Sequence, residues 1–135
     1  MILLVRHASA GDRYEWEGDD QLRPLDERGR RQADELVELL ARYDVKQLLS
    51  SPALRCVQTV EPFAQAQSFD IEIREELSEE RQSFDGPTLF ASLHDAALSC
   101  HGGLSEAICG ESQKKGEVIV LDGTSVVTRF RAKGR

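Results

Sequence analysis

Arginine and histidine side chains recur where apolar runs of this sequence end. Arg6 and His7 follow the first apolar run, and His101 follows a later one. Arg55 comes shortly after a third run. A neutral imidazole is a competent nucleophile near pH 7, and the arginine fork matches the oxygens of a phosphoryl group. These residue types therefore fit phosphoryl transfer through a histidine, without a metal ion.

The apolar runs predict the strands that position these side chains. Ile2 to Val5 is predicted to be a strand buried on both faces. Two further strands are predicted at Val45 to Ser50 and Ala96 to Cys100. In parallel sheets, binding sites lie outside the carboxyl ends of the strands. The two histidines and two arginines are therefore expected to meet at one edge of the sheet, beside a long polar loop over residues 8–26.

Helical periodicity separates these strands. A first helix is predicted from about Glu27 or Arg28 to Arg42, and a second to about Gln67, with Pro52 at its first position. The remaining predicted elements are an edge strand over 69–74, a short helix over 87–94, a helix over 104–110, and a hairpin over 117–121 and 125–130. The predicted fold class is α/β: a three-layer α/β/α sandwich with a mostly parallel central sheet and a C-terminal antiparallel hairpin.

Length and composition limit the classes of function. The 135 residues suit a single domain over residues 1–135, and the net charge of -7 argues against nucleic-acid binding. No run is long enough for a membrane span or resembles a leader, and the three cysteines lack metal-site spacing. We expect a cytoplasmic monomer with neither a metal nor a cofactor, and without membrane or nucleic-acid partners.

Three segments of the sequence resemble one family. They are Val5-Arg6-His7-Ala8, the run Ser50-Ser51-Pro52-Ala53-Leu54-Arg55-Cys56-Val57-Gln58-Thr59, and Cys100-His101-Gly102-Gly103. Together they are similar to the short branch of the histidine phosphatase superfamily, the phosphoglycerate-mutase-like group. The resemblance covers nearly the whole chain. It is equally close to the small phosphohistidine phosphatases of the SixA type and to the phosphatase domain attached to some actinobacterial Nudix hydrolases.

The resemblance implies a role for each candidate residue. His7 would be the phosphorylated nucleophile, and the phosphoryl group would be held by Arg6, Arg55 and His101. A leaving group also needs a proton, and Glu79 matches the position of the acid that supplies it, with Glu80 as the neighbouring candidate. Arg23 and Ser9 are candidate supporting residues.

Several alternatives stay open on the sequence alone. The substrate is expected to be a phosphohistidine on a partner protein, or else a small phosphate ester or nucleotide. A catalytically inactive module that binds phosphorylated partners is a function of another class. Surface charge is the expected role of Arg13, Lys114 and Lys115. The aromatic pair Tyr14 and Trp16 could line a substrate site or fix the long loop.

Overall fold

A computed structural model of the chain describes residues 1–78 and 92–135. Six of its strands form one sheet in the order β3-β2-β4-β1-β5-β6. The strands are β1 (Ile2–Arg6), β2 (Gln47–Ser50), β3 (Glu72–Ile73), β4 (Ala96–Cys100), β5 (Glu117–Asp122) and β6 (Ser125–Arg131).

The middle of the sheet is parallel and its C-terminal side is antiparallel. Strand β4 pairs in parallel with β1 on one side and with β2 on the other, and β2 pairs in parallel with β3. Strands β5 and β6 complete the sheet as an antiparallel hairpin next to β1. Arg6 lies opposite Cys100, and Ser50 lies opposite Ser99, so the carboxyl ends of β1, β4 and β2 are level. The predicted α/β fold class is confirmed.

Helices cover both faces of the sheet: α1 (Glu27–Ala41), α2 (Leu54–Gln67) and α3 (Gly102–Cys109). Leu36 and Leu40 of α1 join Val60 and Phe63 of α2 in a core against one face of the sheet. Leu104, Ile108 and Cys109 of α3 pack on the opposite face. Within the described residues, no helix combines the length and apolar composition that crossing a membrane demands.

Helix α2 begins later than the sequence suggested. Pro52 is not the first helical residue, because Ser51-Pro52-Ala53 continues outward from β2 and Ala53 is the extended N-cap. The backbone N–H of Ser51 still donates to the carbonyl of Ser99, 2.9 Å away, which prolongs the sheet pairing. Strand β3 is also shorter than the predicted 69–74. Of the predicted helix over 87–94, residues 87–91 lie outside the described residues, and 92–94 are not helical.

Gly29, in the first turn of α1, lets the loop after β1 pack directly on this helix. A Cβ at Gly29 would stand 1.9 Å from the carbonyl oxygen of Ser9. Asp26, the N-cap of α1, fastens the same loop by accepting hydrogen bonds from Ser9 Oγ and from the N–H groups of Gly11 and Gly29. The close packing of loop and helix therefore requires glycine.

We expect Gly29→Ala to lower the free energy of unfolding by about 2–3 kcal/mol, because the loop that follows His7 must move away from α1. Urea denaturation followed by circular dichroism measures this change. The matched control is Gly103→Ala in α3, where a Cβ meets nothing within 4 Å. That variant should be neutral or slightly stabilising, since alanine favours helix over glycine. Equal stability of the two variants would contradict the packing argument.

Candidate active site

His7 lies at the carboxyl end of β1 with one ring nitrogen already bonded. Its backbone N–H donates to the carbonyl of Cys100, 2.9 Å away, which continues the β1–β4 pairing. Its Nδ1 is 2.8 Å from the carbonyl oxygen of Ala8. A carbonyl can only accept, so Nδ1 bears the proton in this bond. The lone pair of the neutral ring is therefore on Nε2.

The surroundings of His7 hold its imidazole in the neutral form. The side chain is buried, with 6% exposure. The pKa of His7 is lowered from 6.5 to about 3, mainly because the ring is buried. The hydrogen bond to Ala8 raises the pKa, whereas the nearby charges of His101, Arg55 and Arg6 lower it further. The rings of His7 and His101 meet edge to face, with centroids 5.6 Å apart. A buried neutral imidazole beside cationic groups is suited to nucleophilic attack on an anionic group.

Polar residues around the start of α2 fix both histidines. Ser51 Oγ is 2.9 Å from His101 Nε2. Thr59 Oγ1 accepts from the backbone N–H of Ala8 at 2.9 Å and donates to the carbonyl of Arg55 at 2.7 Å. The segment that follows β2 thus positions the residues that follow β1 and β4.

Arg55 is fully buried and is held by a carboxylate. Its Nη2 lies 3.2 Å from Asp20 Oδ2, and its Nη1 donates to the Asp20 carbonyl at 2.9 Å. Asp20 also accepts from Arg23 Nε at 3.0 Å. Burial alone would raise the pKa of Asp20, but the Arg23 hydrogen bond and the charges of Arg55 and Arg23 outweigh it, so the pKa lies below its ordinary value. Asp20 therefore stays ionised and orients two arginines at the site.

Arg6 passes from the end of β1 across the start of α3. Its Nη1 donates to the carbonyl of Gln113, and its Nε has no hydrogen-bond partner within the described residues. A Cβ on Gly102 would come within 3.0 Å of Arg6 Cζ. Glycine at position 102 therefore lets this guanidinium approach the N-terminus of α3, where the helix dipole favours anions.

A cavity of ≈ 470 Å³ opens over these groups. Its lining residues are Arg6, His7, Gly11, Asp12, Arg13, Arg23, His101, Gly102 and Lys115. Four of them are basic and one is a carboxylate, although the whole chain has a net charge of -7. Such a local reversal of sign attracts an anionic ligand. The arrangement can bind a phosphoryl group over the His7 ring.

Comparison with known proteins identifies the family of this chain. The model of the histidine phosphatase superfamily (branch 1) matches residues 2–99. The chain belongs to this superfamily. Among curated proteins, it is 48% identical to the 8-oxo-(d)GTP phosphatase of Mycolicibacterium smegmatis over 64 residues. That stretch is 47% of this chain but 20% of the relative, so the match spans only a small part of the relative's length.

Solved structures of the superfamily share the fold. A candidate phosphohistidine phosphatase SixA from Agrobacterium tumefaciens is 26% identical, covers 96% of each chain and has a TM-score of 0.79. A protein histidine phosphatase SixA solved with tungstate is 18% identical, with a TM-score of 0.73 over 97% of this chain and 96% of that one. The second likeness concerns the fold alone.

The cavity and its surroundings bring together most of the predicted site residues. Arg6, His7 and His101 line one cavity together with Arg23. Arg55 is fully buried and is bonded to Asp20, and it does not line this cavity. Ser9 instead bonds to Asp26 and supports the loop. The acid candidates Glu79 and Glu80 lie outside the described residues.

Sequence reasoning missed other residues that belong to the site. Asp20, Ser51 and Thr59 serve as positioning groups. The last two lie in the run over residues 50–59 that carries the family resemblance, but no role was predicted for either. Lys115, expected as surface charge, lines the cavity, and so does the exposed Arg13, whereas Lys114 is exposed outside it. Trp16 donates from Nε1 to the Asp19 carbonyl at 3.0 Å and so fixes the long loop.

Proposed function

We propose that this chain is a metal-independent phosphatase that forms a phosphohistidine intermediate on His7. The observation that carries the proposal is the neutral His7 imidazole, with Nδ1 bonded to the Ala8 carbonyl and Nε2 left as nucleophile, in a cationic cavity. Arg6 adds an Nε–H group with no hydrogen-bond partner within the described residues, and the N-terminus of α3 adds its dipole. Together they neutralise charge on the phosphoryl oxygens.

The reaction proceeds in two steps. His7 Nε2 attacks phosphorus in line, and the bond from phosphorus to the leaving oxygen or nitrogen breaks with its electron pair on the leaving group. Glu79, by its place in the sequence, gives that group its proton. Water then attacks the phosphohistidine, the phosphorus–nitrogen bond breaks, and the water proton returns to Glu79 while inorganic phosphate departs.

Two classes of substrate fit this chemistry. Phosphohistidine on a partner protein is one, supported by the likeness to the Agrobacterium SixA across the whole chain. A small phosphate ester or nucleotide is the other, supported by the nucleotide phosphatase among the relatives. A second cavity of ≈ 230 Å³, lined by Trp16, Pro24 and Leu25 among others, shares Arg23 with the first and offers an apolar surface for a flat group.

A trapping experiment tests the proposed activity. The enzyme is mixed with para-nitrophenyl phosphate in EDTA, quenched in alkali and digested, and the peptide containing His7 is examined by mass spectrometry. We expect turnover in EDTA, and an acid-labile phosphate on His7. Turnover that needs a divalent cation, or that leaves phosphate on another residue, would overturn the mechanism.

The same experiment separates the enzyme from a phosphate-binding module. Binding of inorganic phosphate without turnover of any phosphate tested would show a module and reject the enzyme. For substrate choice, kcat/KM on a peptide phosphorylated on histidine is compared with kcat/KM on AMP and ADP. A clear preference for the nucleotides would reject protein phosphohistidine as the substrate.

A further inference from the structure

The cavity is larger and more basic than one phosphoryl group requires. Arg6 and His101 lie with His7 where the transferred phosphoryl group would bind. Arg23 already forms an ion pair with Asp20. Lys115 lines the same cavity without an ion pair to any carboxylate in the described parts of the chain. Its ammonium is thus left to meet an anion that comes from outside the protein.

The backbone at Lys115 is fixed relative to His7. The next residue, Gly116, donates its N–H to the carbonyls of Arg6 and His7, both at 3.2 Å. The carbonyl of Lys115 itself accepts from Gln32 Nε2 at 3.2 Å. Gly116 has a φ of +77, and a Cβ there would stand 2.7 Å from Gln32 Nε2. The Lys115 side chain therefore starts from a defined position beside the nucleophile.

The charges around Lys115 are mainly of its own sign. Its pKa is lowered, first by partial burial and then by Arg6, Arg23 and Arg13, while Asp26 acts in the opposite direction. Crowding of cations raises the free energy of the empty site. A bound anion relieves this repulsion. A second negative group therefore binds more tightly here than it would at an isolated surface lysine.

We infer that Lys115 forms a second anion subsite in the cavity that it lines with His7, and that this subsite takes a phosphate group attached next to the transferred phosphoryl group. Lys115 is then a specificity-determining residue, and the substrate class is a small molecule with two adjacent phosphates. This inference rests on the proposed function, because the first phosphate is the one that His7 attacks. It favours the nucleotide class over a phosphohistidine peptide.

Calorimetric binding tests the subsite without any turnover. Methylphosphonate supplies one anionic group, methylenediphosphonate supplies two, and phosphonoacetate replaces the second phosphonate by a carboxylate. We expect the wild-type protein to bind methylenediphosphonate about tenfold more tightly than methylphosphonate, as one favourable charged contact provides. In Lys115→Gln the ratio of the two dissociation constants should fall to about two or less.

Lys114→Gln is the matched control, because Lys114 is the exposed neighbour and does not line the cavity. It should keep the wild-type ratio. An unchanged ratio in Lys115→Gln, or an equal fall in both lysine variants, would overturn the subsite. Tighter binding of phosphonoacetate than of methylenediphosphonate would overturn its assignment to phosphate. Failure of the trapping experiment with the binding ratio intact would reject the phosphatase but leave the second subsite standing.

Discussion

Replacing His7 by alanine is expected to lower kcat on para-nitrophenyl phosphate by at least about 10⁴-fold, since no other described group can take the place of a covalent nucleophile. His101 is the nearest imidazole, but its Nε2 is engaged by Ser51 at 2.9 Å. The basic cavity remains in the variant, so KM should change much less than kcat. Steady-state kinetics in EDTA, with circular dichroism to verify folding, measures both effects.

A second variant tests whether the loss of activity is caused by the missing imidazole. His7→Gly leaves space for free imidazole at the carboxyl end of β1, and added imidazole should restore measurable turnover with release of N-phosphoimidazole. The exposed His94 supplies the control, because His94→Ala removes an imidazole far from the cavity lining and should retain wild-type kcat. Retention of more than a tenth of the activity by His7→Ala would reject His7 as nucleophile.

The convergence of the site could be predicted because it follows from sheet topology. Each of β1, β4 and β2 is a short apolar run, and a parallel arrangement places all three carboxyl ends at one edge. Strand β4 was predicted at its observed bounds, since Ala96 to Cys100 is flanked by polar residues. Arg6 pairs with Cys100 in the sheet, and a histidine follows each of them. His7 and His101 therefore come together although 94 positions separate them in the sequence.

The groups that tune the site could not be predicted in this way. Asp20 begins a single 3-10 turn, Asp20–Leu22, which has no periodicity to predict it, and its partner Arg55 is 35 positions away. The late start of α2 depends on Ser51, whose hydroxyl contacts His101 and also accepts from the N–H of Ala53 at 3.3 Å. In the sequence, Lys115 stands next to Lys114, and such a pair of lysines is typical of the solvated surface. Its role depends on a Gly116 turn that is tied to β1, which is a tertiary contact.

Acidification should destabilise this protein well before its carboxylates titrate. Burial and the neighbouring charges of His101, Arg55 and Arg6 set the pKa of His7 to about 3 in the fold, against 6.5 as its ordinary value. Between these values the unfolded chain binds a proton that the folded chain does not bind. The contribution of neutral His7 to the free energy of unfolding is therefore fully present above pH 6.5. It decreases as the pH falls below this value, by about 1.4 kcal/mol per pH unit.

From pH 6.5 to pH 5 this linkage predicts a loss of roughly 2 kcal/mol in the free energy of unfolding. The ionised forms of Asp20 and Asp26 are favoured in the fold, with pKa values lowered from 3.8, so their stabilisation is lost only at more acid pH. Urea denaturation at the two pH values isolates His7. In His7→Gln the loss should disappear, while His94→Gln should keep it. If His7→Gln kept the full pH dependence, the ring would be protonated in the folded protein at pH 5, and a neutral nucleophile there would be excluded.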